Sequence, residues 1–195
     1  MARRGAAPAG QGGVGAGRAC PIDLSAACPD QVWAIDFVSD QTADGRPLKI
    51  LTVTDEHTRE ALATPAARRM GADDTVSVLE RIVERRGRAP KLIRCDNGPE
   101  FVSQSLRDWC RFNNAGTGYI EPGAPWQNPF VESFNGHLRR ELLEMESFNT
   151  LFEAQLLLDD WRLEYNHYRP HQSLNYMTPA EYARRRRTET QPELS

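Results

Sequence analysis

Apolar positions recur along the chain with two periods, and the changes between them mark out the elements. Residues 32–40 (VWAIDFVSD) and 48–55 (LKILTVTD) are apolar runs of strand length, joined by TADGRP with its Asp-Gly turn signal. A third strand is predicted over Glu60–Ala66, and Pro65 confines it to a sheet edge or an early stop. The period then lengthens. TVSVLERIVERRG predicts a helix with Asp73 as its cap, Val76, Leu79, Ile82 and Val83 on its apolar face, and Gly87 at its end. A strand over 91–95 follows, then a helix over Ser105–Asn113 with Leu106, Trp109, Cys110 and Phe112 as its apolar residues. TGYIEPG reads as a short strand running into a loop.

Asn128 is a candidate N-cap, with Pro129 at the first helical position, where its fixed φ suits the helix and no N–H is missed. Val131, Phe134, Leu138, Leu142 and Met145 recur at helical spacing and form the expected buried stripe. Asn149–Tyr168 predicts a long amphipathic helix bearing Leu151, Phe152, Leu156, Leu158, Trp161 and Tyr165, stopped by Pro170. A last helix starts at Thr178 with Pro179 at its first position.

This order makes an α/β chain. The strand–helix–strand connection predicts 91–95 parallel to the first strand and beside it. Residues 1–30, rich in Gly, Ala and Pro, have too little to bury and are expected to be disordered. The remainder divides into a core over 31–145, helices over 146–187 packed on it, and a tail over 188–195.

Composition changes the picture little. Hydrophobic residues make up 39% of the chain, enough for a core, and no apolar run approaches the ~18 residues of a membrane span. Arg3 and Arg4 are not followed by an apolar signal core, so a cytoplasmic protein is expected. The net charge of −3 counts weakly against nucleic-acid binding, because basic groups can gather locally and an acidic site is electronegative until a cation fills it. Cys20, Cys28, Cys95 and Cys110 form no CxxC pair and read as reduced, structural thiols. His57, His137, His167 and His171 do not fall at ligand spacing, so HYRPH is expected to pack at a helix end or touch phosphate. The Arg184–Arg187 run reads as a solvated helix end, with backbone phosphate contact as its other reading.

Three acids stand out. Asp36 lies inside an apolar strand, where a carboxylate needs a partner or a cation. Asp96 ends the strand 91–95 and is followed by the turn formers Asn97, Gly98 and Pro99; taken alone it reads equally as a turn residue. Glu132 reads alone as a first-turn acid stabilised by the helix dipole. Asn128, Glu132, Asn135 and Arg139 follow at steps of four, three and four and share one helix face, apart from the apolar stripe. Carboxylates delivered by a strand and a helix can hold divalent ions such as Mg²⁺. Asp55 alternates like Asp36 but has no place in this set and reads as structural or supporting.

Between Asp36 and Asp96 lie 59 residues, and between Asp96 and Glu132 lie 35. With DNGPEF, PWQNPFVESFNGHLRREL and YNHYRPHQSLNYMTP, this ordered set resembles the DDE transposases of bacterial insertion sequences and the related retroviral-type integrases, over roughly residues 31–183. The resemblance implies a ribonuclease H-like fold: a mixed five-stranded sheet flanked by helices, with a C-terminal helical extension. It implies the catalytic core of a second-reading-frame product that cuts DNA and transfers strands. Two Mg²⁺ (or Mn²⁺) ions would be held by Asp36, Asp96 and Glu132, with Asp36 bridging both. Asn128, Asn135, Arg139 and Arg140 would contact DNA. Element ends and target DNA are the implied partners, handled by a homo-oligomer with no membrane involved. The family's upstream helix-turn-helix has no counterpart in residues 1–30, so a core fragment or the product of a truncated or frameshifted gene is expected. A ribonuclease H-like nuclease and a catalytically silent DNA-binding remnant are the alternatives.

Overall fold

Strand β1 (Val32–Gln41) is central, and its neighbours explain the rest. A computed structural model describes residues 26–120 and 129–190, with side chains as far as Thr188. The disorder expected over 1–30 thus lies almost wholly outside the described residues, as does the tail beyond 190. β1 turns through Gly45, at φ 77°, into antiparallel β2 (Pro47–Asp55). The predicted third strand is two short pieces, β3 (Ala61–Ala63) and β4 (Ala66–Ala67), both on β2 and separated by Pro65, whose carbonyl accepts the Leu51 N–H. Helix α1 (Ala72–Arg86) leads to β5 (Leu92–Cys95), and α2 (Gln104–Phe112) leads to β6 (Gly116–Tyr119). β5 pairs parallel with β1, and β6 with β5, giving the mixed order β3-β2-β1-β5-β6 with β4 beside β2. Then come α3 (Pro129–Leu138), a π-helical turn (Arg139–Leu143), α4 (Leu151–Tyr168) and α5 (Pro179–Thr190).

Strand alternation sorts the side chains into two layers. Trp33, Ile35, Leu51, Val53, Ile93 and Cys95 face α1 and α2, meeting Val78, Leu79, Ile82, Leu106 and Trp109. Val38, Leu48 and Ile50 face α3 and α4, meeting Phe134, Leu138, Leu142, Leu158, Trp161 and Tyr165. By that parity Asp36 belongs to the second face, under α3. Burial raises the Cys95 thiol to about 12 and Cys110 to about 11, in keeping with inert packing.

Caps follow local chemistry. Thr150 and Thr178 accept N–H bonds from Glu153 and Glu181, and Ser103 from Leu106. The α1 cap is Gly71, whose N–H is taken by Asp74; Asp73 instead lies in the first turn and accepts Ser105 Oγ at 2.6 Å. The expected apolar stripes fail at four places. Met145 is 74% exposed, because the π turn inserts a residue (Glu144 N–H bonds to Arg139 O) and shifts the phase beyond it. Phe112, Phe152 and Leu156 are also exposed. The face α4 buries is Ala154, Leu158, Trp161, Tyr165 and Asn166, which misses the latter two. Among the described residues no helix is long and apolar enough to cross a membrane.

Candidate active site

Sheet register places the first two acids side by side. Val32, Trp33 and Ala34 pair with Leu92, Ile93 and Arg94. Two steps further, Asp36 and Asp96 stand level at the point where β5 stops and β1 continues. Asp36 is held by two donors: the Phe37 N–H reaches Oδ1 and the Asn135 amide reaches Oδ2, each at 2.8 Å. Its pKa is raised, first by burial, and also by the negative charges of Asp96 and Glu132; the two hydrogen bonds oppose the rise.

Asp96 is exposed and folds over its own turn, accepting the Gly98 N–H at 2.8 Å. A Cβ at Gly98 would stand 2.9 Å from that carboxylate oxygen, so glycine is what lets the turn close there. Asn97 ties this turn to β6 through the Ile120 carbonyl at 2.9 Å. Glu132 is exposed in the first turn of α3.

The sequence-predicted polar face of α3 divides in two. Asn135 is buried and bonded to Asp36 rather than open to a ligand, and its Oδ1 has no hydrogen-bond partner among the described residues. Arg139 and Arg140 are exposed on the π turn, with Arg140 beside His137. Asn128 lies outside the described residues. Among the described residues, no three His, Cys, Asp or Glu side chains are gathered closely enough to hold a metal ion as they stand.

Sequence reasoning missed a buried charged pair at the start of β1, where the Glu56 N–H bonds to the Val32 carbonyl. Glu56 pairs with Arg94 at 2.8 Å, and its carboxyl is pushed up to about 7 by burial, against the pull of Arg94 and Arg59. TDEHTRE, which supplies Glu56 and Arg59, has no periodicity to betray it; only their placement between two strands hinted at burial. HYRPH packs at a helix end: His171 lies edge-on to Tyr165, and burial lowers its pKa to about 4. A cleft of about 750 Å³ between α1, α4 and β3–β4 is bordered by none of the three acids.

The family model described as Integrase core domain matches residues 26–125, and a second of that description matches 113–179. An uncharacterized 31.7 kDa protein of insertion element IS407 from Burkholderia multivorans is 41% identical over 159 residues, covering 82% of this chain and 57% of its own length. An uncharacterized 39.2 kDa protein of IS476 from Xanthomonas euvesicatoria is 39% identical over 166 residues, covering 85% and 48%. A transposase for insertion sequence element IS904 of Lactococcus lactis is 26% identical over 162 residues, covering 82% and 63%. The chain spans about half the length of the first two relatives. The HTLV-2 integrase catalytic core domain, solved in complex with magnesium, superposes with a TM-score of 0.63 at 15% identity, covering 80% of this chain and 98% of that one. A chain of the simian T-cell lymphotropic virus intasome gives 0.68 at 18% identity, covering 86% and 57%. These structures establish the ribonuclease H-like fold. By its sheet, its helices and these matches, the chain belongs to the integrase core domain family, with proteins of bacterial insertion sequences, transposases included, as its relatives.

Proposed function

We propose that the chain is the catalytic core of an insertion-sequence transposase that cuts DNA and transfers strands, with Asp36, Asp96 and Glu132 as its metal-binding triad. The observation that carries this reading is the electrostatic state of Asp36: a carboxylate mostly withdrawn from water whose strongest charged neighbours are two further carboxylates. Such a group is poorly stabilised until a cation arrives. An all-oxygen donor set suits Mg²⁺ or Mn²⁺. Bound there, two such ions would supply an activated water or 3′-hydroxyl and stabilise the leaving oxygen.

The chain's own residues do the rest. Asn135 and the Phe37 N–H fix the orientation of Asp36 and leave lone pairs free on both oxygens. Asp96 is presented at the open end of β5. Glu132, exposed on α3, is free to turn toward the ions, which reconciles the reading with the present separation of the three groups. Arg139 and Arg140, with Asn128, would take DNA phosphates. Element ends and target DNA would be the substrates, held by a homo-oligomer of cores formed by 31–145 with the helices of 146–187 packed on them.

Asp36→Asn and Glu132→Gln test this on element-end duplexes, with an RNA–DNA hybrid as the comparison substrate. Each is expected to lower Mg²⁺-dependent DNA cleavage at least about a hundredfold with the fold retained. Cleavage at the wild-type rate in both variants would remove the triad, and preference for the hybrid would make the chain a ribonuclease H-like nuclease instead.

A further inference from the structure

The first turn of α3 carries two side chains on opposite flanks. Phe130 and Glu132 are two residues apart, about 200° around an α-helix. On the Phe130 flank, the Arg59 guanidinium lies over the ring, its Cζ 3.3 Å from the centroid. Arg59 is no ordinary surface arginine. It closes the turn after β2 with a left-handed backbone (φ 62°), and its N–H bonds back to the Asp55 carbonyl at 2.8 Å. One of its guanidinium nitrogens is buried with no hydrogen-bond partner among the described residues. Burial works against its charge, and the nearby negative charge of Glu56 works for it. A desolvated guanidinium so placed has the aromatic face as its close partner, and stacking of this kind is a property of the planar fork that lysine lacks.

We propose that Arg59 is a positioning residue for Glu132: it grips Phe130 and so fixes the rotation of the first turn of α3. Two contacts and one charge–charge influence link the two sides of the site. Arg94, two residues before Asp96, pairs with Glu56; Glu56 acts on Arg59; Arg59 stacks on Phe130; Phe130 sets the azimuth of Glu132. The strand end bearing one acid is thereby tied to the helix turn bearing another. Further along, α3 is anchored by Phe134, edge-on to Tyr165 and Trp161 at 4.9 and 5.4 Å, and by Asn135 on Asp36. Those contacts hold the middle of the helix, and the stack holds its start. The inference rests on the reading of Glu132 as the third metal-binding acid.

The test uses the full chain with Arg59→Met, Phe130→Leu, the two together, and Phe130→Tyr. Hydrogen exchange is read at Ser133, Phe134 and Asn135, whose amides bond back to the first-turn carbonyls. Each single variant is expected to lose about tenfold in protection there, with the β1 and β2 amides unchanged. The double variant should be no worse than the singles, because both remove one contact. The Mn²⁺ concentration that half-saturates a thermal shift should rise about tenfold in the same variants and return toward wild type in Phe130→Tyr. Phe130→Leu leaves the Arg59 turn intact, so it decides the matter even if Arg59→Met folds poorly. Unchanged protection at 133–135 in Phe130→Leu, or losses that simply add in the double variant, overturns the brace. An unaltered Mn²⁺ response in Glu132→Gln would instead overturn the metal-binding reading, and the exchange data would still judge the brace.

Discussion

Two aspartates sit on adjacent central strands, Asp36 on β1 and Asp55 at the end of β2, and both have carboxyls raised by burial. The charges around them differ: Asp55 feels the negative Asp30 but also the positive Arg86, whereas those acting on Asp36 are both negative. Asp55 accepts N–H bonds from Asp30 (2.6 Å), His57 (2.9 Å) and Thr58 (3.0 Å) and faces Arg86, which also pairs with Asp30 and Glu60. Arg187 of α5 closes the cluster on Glu60 at 2.9 Å. That acid is complete within the protein. Asp36 has two donors, and the charges it feels most are negative. Burial alone therefore does not single out a candidate acid; burial with negative charges as the leading neighbours does.

Exchanging each acid for its amide should separate the two roles. Asp55→Asn leaves Arg86 facing fewer negative charges and sets an NH₂ against backbone donors, so a loss of about 3 kcal/mol is expected, a fall in Tm of roughly 10 °C. Asp36→Asn removes a repelled charge, and a flip of the Asn135 amide turns its Oδ1 to accept from the new NH₂. The metal-free protein should then be as stable as wild type or up to about 1 kcal/mol more so. A larger loss of Tm in Asp36→Asn than in Asp55→Asn would reverse the assignment.

Metal sharpens the contrast by a slightly smaller amount. With Mn²⁺ at a hundred times its dissociation constant, wild type should gain about 2.7 kcal/mol and Asp36→Asn almost none, while a partly folded Asp55→Asn should still respond. Equal gains in wild type and Asp36→Asn would place the ion elsewhere.

The pH dependence of stability reports the third buried acid. Glu56 has its pKa raised from 4.5 to about 7, by burial first. A raised carboxyl favours the folded state when protonated, so its contribution is whole below pH 4.5 and is lost as pH rises through about 7. Metal-free wild type should lose on the order of 2 kcal/mol across that window, and Glu56→Gln should flatten the slope whatever it does to the absolute stability. A slope unchanged by Glu56→Gln would assign the window to other groups.

Much of this comparison could be read from the residues. The order of strands and helices follows from period, and the parallel placement of β5 beside β1 from the connection between them. Asp36 was conspicuous because an acid in VWAIDFV has no local reason to be there. What periodicity could not supply was partnership across the chain. Arg187 meets Glu60 and Arg59 meets Phe130 because the fold closes, and no local pattern announces either pair. The exposure of Met145 turns on one inserted residue in the π turn, which the regular spacing of Leu138 and Leu142 concealed. Phe152 and Leu156 show a further limit: an apolar stripe says that a face is greasy, and only the packing of its neighbours says whether it is covered.

Arginines at the ends of α3 and α4 invite the same distinction, with the smallest expected effect. Arg169 is held by both oxygens of Glu141, so its charge is already spoken for. Arg139 is exposed and makes no ion pair among the described residues. If Arg139 neutralises one phosphate, Arg139→Ala should weaken binding about equally for any sequence and reduce the slope of log K against log salt by about 0.9. Arg169→Ala should leave that slope unchanged, since removing it frees Glu141 rather than a DNA contact. Both variants are read by binding titrations at several salt concentrations. An equal change of slope in the two would mean that distance from the DNA, rather than the partner already in place, decides which arginines bind it.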